Sequence, residues 1–203
     1  TILYNKHIDF EAKIIPFSGF LMPVQYQGIN SEHLHVRSSV GLFDVSHMGE
    51  FFLEGEKSTD LLQLICTNDI SKIGNEKAQY SCLTNEKGGI IDDLIIYKFN
   101  NNKFMLVVNA GNIKKDWDWI KNKNEKFGNK LENRSDNMSL LALQGPKAYD
   151  LLQKIVEFDV KSLENYSFIE TDFNKFKNVI ISTTGYTGSG GLEVYGVDNE
   201  VLG

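Results

Sequence analysis

Two cysteines, three prolines and two tryptophans are few for a chain of 203 residues, and the scarcities are informative. Cys66 and Cys82 cannot build a disulfide framework and lack zinc-type spacing, so the chain needs a core of its own and fits a reducing compartment. No apolar run approaches the roughly 20 residues that a membrane-spanning helix requires, so no membrane role is expected. Positive charge is in deficit: 21 Lys and Arg stand against 27 Asp and Glu, a formal net charge of −6. Nucleic acid is therefore not expected as the main partner, because neutralising phosphates takes a basic surface. The opening residues, with Tyr4, Lys6, His7 and Asp9, contain no apolar signal core, so a cytoplasmic protein is expected, or a mitochondrial-matrix one in a eukaryote.

What is present is ordinary for a globular chain: 41% hydrophobic and 24% charged residues, enough for one large domain or two small ones. Ile29 to Ser39 reads as a helix starting near Asn30 or Ser31, with Glu32 in its first turn. Leu42 to Leu53 reads as extended around Gly49. Ser58 to Ile65 carries Leu61, Leu62 and Ile65 at helical spacing. Tyr80–Thr84 and Ile90–Phe99 are strand-like runs around a hairpin turn at Asn85–Gly89, and Phe104–Val108 is a further strand. A helix follows from Asn112, with Ile113, Trp117 and Ile120 on one face.

The pattern then recurs. Residues 55–65 and 145–155, each Gly-x-Lys-x-x-Asp-Leu-Leu-Gln-x-Ile, match at seven of eleven positions. An apolar strand precedes both glycines and a glycine-rich hairpin follows, the second around Thr187–Gly191, so an internal duplication is expected. Strand-helix-strand units without βαβ regularity point to an α+β fold.

The most informative segment is Gly88-Gly89-Ile90-Ile91-Asp92-Asp93-Leu94-Ile95-Ile96-Tyr97. Aspartate is a poor strand former, so two within a β-branched run need a reason. Alternation puts Asp93, Ile95 and Tyr97 on one face and Asp92, Leu94, Ile96 and Lys98 on the other, so the aspartates point apart and form no dyad. Asp92 is read as a turn-anchoring acceptor and Asp93 as a candidate ligand-facing carboxylate. Glu193 follows its Gly-Gly by an even offset, as Asp93 does, which suggests a carboxylate from each repeat turned toward one ligand. Residues 184–191 are glycine-rich but lack the Lys and Ser/Thr of a phosphate loop. His33 and His35 sit two apart on a helix and cannot chelate one metal, and His47 reads as a satisfied structural histidine. Lys121, Lys123, Lys126 and Lys130 read as a solvated face, with a docking patch for an acidic partner as the alternative.

Several segments, in this order, resemble the glycine-cleavage T-protein (aminomethyltransferase) family: 19–23, Glu32-His33 with Val36-Arg37, 40–50, 85–94, Val107-Val108-Asn109-Ala110, Gln144-Gly145-Pro146 and 184–188. The resemblance covers essentially the whole chain. Pro16-Phe17 and Phe20 depart from the family's usual residues beside Gly19 and are read as packing changes. Family members continue past Gly203 through an arginine-bearing segment that contacts folate and a C-terminal β-barrel domain; both are missing from this sequence, which puts the activity of the chain as given in doubt. The resemblance implies a folate-binding region of two interlocked, duplicated subdomains, one of residues 1–50 with 139–203 and one of 51–138.

By the same resemblance, the activity is transfer of a one-carbon unit from the aminomethyl-lipoyl H-protein to tetrahydrofolate, releasing ammonia and 5,10-methylenetetrahydrofolate, with no metal. Asp93 matches the family's catalytic aspartate, and Glu193 matches the glutamate that bonds the pterin. Met48, Tyr80, Tyr97, Asn109 and Tyr186 match positions lining the folate pocket, with Tyr166 a weaker candidate. Two alternatives use the same fold: a folate-dependent demethylase, against which the intact Asp92-Asp93-Leu94 speaks, and a non-catalytic folate-binding protein, whose cysteine-bearing signature is not seen here.

Overall fold

The computed structural model describes residues 1–173 and 176–197. In chain order its elements are α1 (Tyr4–Asp9), β1 (Lys13–Phe17), β2 (Phe20–Gln25), α2 (Ile29–Ser38), β3 (Gly41–Asp44), β4 (Gly49–Glu54), α3 (Ser58–Ile65), β5 (Lys77–Thr84), β6 (Ile90–Asn100) and β7 (Lys103–Val108). These are followed by α4 (Ile113–Asn124), β8 (Lys130–Asn133), β9 (Met138–Gln144), α5 (Ala148–Leu152), β10 (Phe168–Phe173), β11 (Phe176–Ser182) and β12 (Gly191–Val197). The chain divides into two compact units, Thr1–His47 with Asn137–Gly203, and Met48–Asp136. Residues 198–203, the end of the first expected subdomain, lie outside the described residues.

In the Met48–Asp136 unit, five antiparallel strands are ordered β5-β6-β7-β4-β8. Leu61, Leu62 and Ile65 of α3 are buried, while Leu64 on the reverse side is exposed. They join Phe51, Leu53, Leu94, Ile96, Leu106, Val108 and Ile120 in one core, with Ile113 and Trp117 of α4 packed against it. Each large apolar side chain so buried contributes about 1.5–3 kcal/mol.

The other unit holds a separate β1-β2 hairpin, turned at Ser18 and Gly19, which both have positive φ as a primed two-residue turn demands. Its five-stranded sheet is ordered β10-β11-β12-β9-β3 and is also antiparallel. Leu143, Ala148, Leu152, Val160, Val179, Ile181 and Leu192 form its core. Helix α2 begins at Ile29, as read, but its cap position is Gly28 rather than Asn30 or Ser31. Glu32 organises the entry instead: one carboxylate oxygen accepts the backbone N–H groups of Tyr26, Gln27 and Gly28 at 2.7–2.9 Å. Those bonds outweigh the opposing effect of burial and hold its carboxyl below the usual range, the Gly28 bond being the largest contribution.

The architecture is α+β, and the duplication is visible in the strand order: β5-β6-β7-β4 and β10-β11-β12-β9 are the same arrangement. Gly55 and Gly145 both adopt positive φ ahead of their helices, and each accepts a bond at its carbonyl, from Ser58 N–H and Ala148 N–H. Asp69 and Asp159 each cap the short 3-10 turn that follows. Two expectations are corrected. Residues 42–53 are not one extended segment but two strands of different sheets, because β3 pairs with β9 and β4 with β7 and β8. The glycine-rich turns are not counterparts either: 85–89 joins β5 to β6, whereas 183–190 joins β11 to β12. Asp93 thus lies on β6, whose counterpart is β11, while Glu193 lies on β12, the counterpart of β7, so their equal parity carries no common orientation.

Candidate functional site

Asp93 sits on β6, and both of its carboxylate oxygens accept hydrogen bonds. The Tyr80 hydroxyl, on the neighbouring strand β5, donates to Oδ2 at 3.0 Å. The Asn109 amide donates to Oδ1 at 2.8 Å and approaches the Asp93 carbonyl at 3.3 Å. The register explains this: Leu94 pairs with Val108, so the next residue of β7's path, Asn109, stands across from Asp93. A carboxylate held from two sides is fixed in direction before any ligand arrives. Tyr80 is half exposed, at 52%, whereas Tyr97, four residues along β6, is fully buried.

Asp92 does not anchor the turn, as the sequence reading had it. Asn85 does: its side-chain oxygen accepts from Lys87 N–H at 2.9 Å and Gly89 N–H at 3.0 Å. Asp92 shares the face of Leu94 and Ile96 and meets α4, where its carboxyl faces that of Asp116; Asp92 Oδ2 and both Asp116 oxygens are buried with no other hydrogen-bond donor among the described residues. Burial works against ionisation of Asp92, but bonds from Asp116, Asn112, the Asp93 N–H and Asn109 prevail and hold it below the usual carboxylate range. Asp116 is fully buried. Burial first, then the bond to Asp92 and its charge, push the Asp116 carboxyl up to about 8, with Lys115 opposing and Asp93 adding to the rise. The aspartates of β6 do point apart, yet Asn109 reaches both, lying 3.2 Å from Asp92 Oδ1. The carboxyl pair in this unit is Asp92 with Asp116, not Asp92 with Asp93.

Asp116 was missed by the sequence reading although a signal existed. It falls at helical spacing with Ile113, Trp117 and Ile120, and an acid on an apolar stripe requires a partner. Met48, half-buried, precedes β4 at the start of the same unit.

In the other unit Glu193, on β12, is buried, and its Oε2 accepts the Thr184 hydroxyl and the Tyr195 hydroxyl, the latter at 3.3 Å. The 183–190 loop beside it is fastened at both sides. Thr187 donates to Gln144 Oε1 at 2.7 Å, Gln144 donates to the Leu192 carbonyl at 3.2 Å, and Arg37 donates to Ser189 Oγ at 2.7 Å. Tyr186, near the loop's tip, is 85% exposed. Tyr166 is half-buried with positive φ. A cavity of about 520 Å³ in this unit is lined by Tyr26, Glu32, His35, Val36, Leu42 and Phe43, and holds none of the predicted site residues.

The remaining candidates have structural roles. His47 packs edge-on against Phe17 (centroids 5.4 Å apart) and near Phe20, two of the three residues read as packing changes. It is not satisfied as expected, for its buried Nδ1 has no hydrogen-bond partner among the described residues. Burial holds its imidazole below the ordinary range, with Asp44 opposing. Lys123 pairs with Glu86 and covers the Trp119 ring, and Lys130 pairs with Glu132 at 2.6 Å. Burial pushes the Cys66 thiol up to about 12, which makes it a poor nucleophile.

The GCVT N-terminal domain family matches residues 3–202. The aminomethyltransferase of Flavobacterium psychrophilum is 54% identical over 195 residues, covering 96% of this chain and 54% of that protein. That of Staphylococcus carnosus is 46% identical over 203 residues, covering all of this chain and 56% of that protein. The crystal structure of glycine cleavage system aminomethyltransferase T from Bartonella henselae superposes with a TM-score of 0.90 at 33% identity, covering 98% of this chain and 54% of that one. A heterotetrameric sarcosine oxidase from Corynebacterium sp. U-96 shares the fold alone, with a TM-score of 0.58 at 12% identity and 85% of each chain covered. The chain spans about half the length of the curated relatives it matches.

Proposed function

This chain belongs to the GCVT N-terminal domain family, and we propose that it is the folate-binding part of an aminomethyltransferase, which moves a one-carbon unit from the aminomethyl-lipoyl H-protein to tetrahydrofolate. The observation that carries the reading is the Asp93 carboxylate, held by Tyr80 on one oxygen and Asn109 on the other.

The chemistry asks for fixed negative charge rather than a covalent intermediate. The C–S bond to the lipoyl arm breaks, the sulfur leaves as a thiolate, and the carbon remains as a methylene iminium. N5 of tetrahydrofolate attacks that carbon and loses its proton, and the thiolate ends as a thiol. The amine on the same carbon then takes up a proton and departs as ammonia, N10 attacks that carbon and releases a proton that replaces the one taken up, and 5,10-methylenetetrahydrofolate results. Positive charge develops beside N5 and N10 at each stage, and a preoriented carboxylate stabilises it without reorganising. The same group can also accept a proton from the attacking amine. Glu193, with its Oε2 already committed to Thr184 and Tyr195, suits the amino and ring N–H groups of a pterin. Met48, Tyr97, Asn109 and Tyr186 are the proposed neighbours of the folate.

The reading is tested in full-length protein with lipoylated H-protein and tetrahydrofolate. Asp93→Asn, which keeps the shape and removes the charge, is expected to lower kcat by about 10²–10³ while the KM for tetrahydrofolate changes little. Turnover equal to wild type removes Asp93 from the mechanism, and equal activity without lipoylated H-protein removes the partner.

A further inference from the structure

The carboxyl groups of Asp92 and Asp116 meet where Asp116 has no other polar partner among the described residues. Asp116 is fully buried, and neither of its oxygens, nor Oδ2 of Asp92, has a conventional N–H or O–H donor among the described residues. What each faces is the other carboxyl. Two bare carboxylates cannot hydrogen-bond, so the contact requires that one of them keep a proton. The remaining polar surroundings assign it. Asp92 receives the Asn109 amide, Asn112 and the Asp93 N–H, all of which favour its charged form, while Asp116 receives no such donor. The proton therefore belongs on Asp116, as a donor to Asp92.

We propose that Asp116 is a positioning residue: its proton holds the Asp92 carboxylate, Asp92 holds the Asn109 amide, and Asn109 holds Asp93 in the direction the reaction needs. The Asn109 amide spans Asp92 Oδ1 at 3.2 Å and Asp93 Oδ1 at 2.8 Å, so moving one end of the chain moves the other. The charged groups felt by Asp116 are Asp92 and Asp93 of β6 and Lys115 of its own helix. When Asp116 loses its proton, two negative charges meet and the Asn109 tether is disturbed. The elevated Asp116 carboxyl places that event near pH 8. This inference rests on the reading of Asp93 as the charge-stabilising group.

The test uses full-length protein carrying Asp116→Asn, which still presents an N–H to Asp92 but cannot titrate, and Asp116→Leu, which presents nothing. With 13C-labelled aspartate, one carboxyl resonance of the wild type is expected to titrate near pH 8 and to be missing from Asp116→Asn. This readout needs no turnover, so it stands even where Asp93→Asn leaves activity intact and the functional reading fails. In turnover, wild-type kcat is expected to fall on the alkaline side, Asp116→Asn to lack that decline while keeping kcat within about threefold at neutral pH, and Asp116→Leu to lose about tenfold or more in kcat with a near-constant KM. The proposal is overturned if no such resonance exists, or if Asp116→Asn shows the same alkaline decline as wild type. Should Asp116→Leu fail to fold, the Asp116→Asn profile and the resonance decide alone.

Discussion

Gln63 and Gln153 make the same bond in the two repeats: each side-chain oxygen accepts a backbone N–H at 2.9 Å, from Ile70 in one and Val160 in the other. Both acceptors tie the helix, or its C-terminal cap, to the 3-10 turn after it. Gln153 does more, because its amide also donates to the Phe158 carbonyl at 3.0 Å. Replacing either by Ala leaves a partly buried N–H unpaired, at about 1–3 kcal/mol. Gln153→Ala is expected to cost more than Gln63→Ala in urea unfolding, and the reverse order contradicts this account.

Around Asp93 the two donors are not equal. The Tyr80 hydroxyl donates to Asp93 Oδ2, while the Asn109 amide donates to Asp92 and Asp93 together. A bond to a charged group contributes about 1.5–3 kcal/mol, and about 1.4 kcal/mol is tenfold in rate. Tyr80→Phe is thus expected to reduce kcat about tenfold and Asn109→Ala considerably more. Steady-state kinetics of both variants, with KM determined separately, check the ranking.

Some glycines are set by backbone crowding. A Cβ on Gly145 meets the Ser39 carbonyl at 2.4 Å, and one on Gly191 meets the Leu143 carbonyl at 2.3 Å, both at positive φ. Gly88 also has positive φ but open space around it. Gly88→Ala therefore carries only the conformational cost of about 1–2 kcal/mol. Gly145→Ala and Gly191→Ala must also displace backbone and are expected to lower Tm much further. Equal melting temperatures for the three variants count against this reading.

Stability should depend on pH through Asp116. Its folded carboxyl titrates near 8, against an ordinary 3.8, so between these values the folded state binds more protons than the unfolded. Stability from this group is then full below the ordinary value, declines as pH rises, and levels off above about 8. Asp92, held below its usual range, acts oppositely, its contribution being lost in acid. Asp116→Asn removes the alkaline loss. The Tm of the variant minus that of wild type is expected to increase from pH 5 to pH 8 and then flatten, in a paired thermal series.

Much of the fold was legible because apolar periodicity wrote it. Leu61, Leu62 and Ile65 mark α3, and the β-branched runs mark β5, β6 and β7. The break between β3 and β4 was not legible, since residues 44–48, Asp-Val-Ser-His-Met, carry no proline or glycine to mark it while the hydrogen-bonding partner changes. Strand β8, Lys130–Asn133, has almost no apolar signal and exists because β4 offers it a free edge. Asp93 announced itself as an acid in a strand. Tyr80 and Asn109 were named only through the family resemblance, and their bonds to Asp93 were not legible, because they reach it through register rather than sequence spacing.

The two sheets recruit their fifth strands from opposite directions along the chain. β8 comes after the four strands it joins, and β3 comes before its own. During synthesis, the Met48–Asp136 sheet has all its strands once residue 133 has emerged, from one uninterrupted stretch. The other sheet must keep β3 waiting across that whole stretch until β9 and the strands beyond it arrive. Its closure carries the larger loop entropy and the higher contact order. The insertion of one unit's residues within the other's sequence therefore gives the ribosome a schedule: all strands of the inserted sheet have emerged while β3 of the other still lacks its partner.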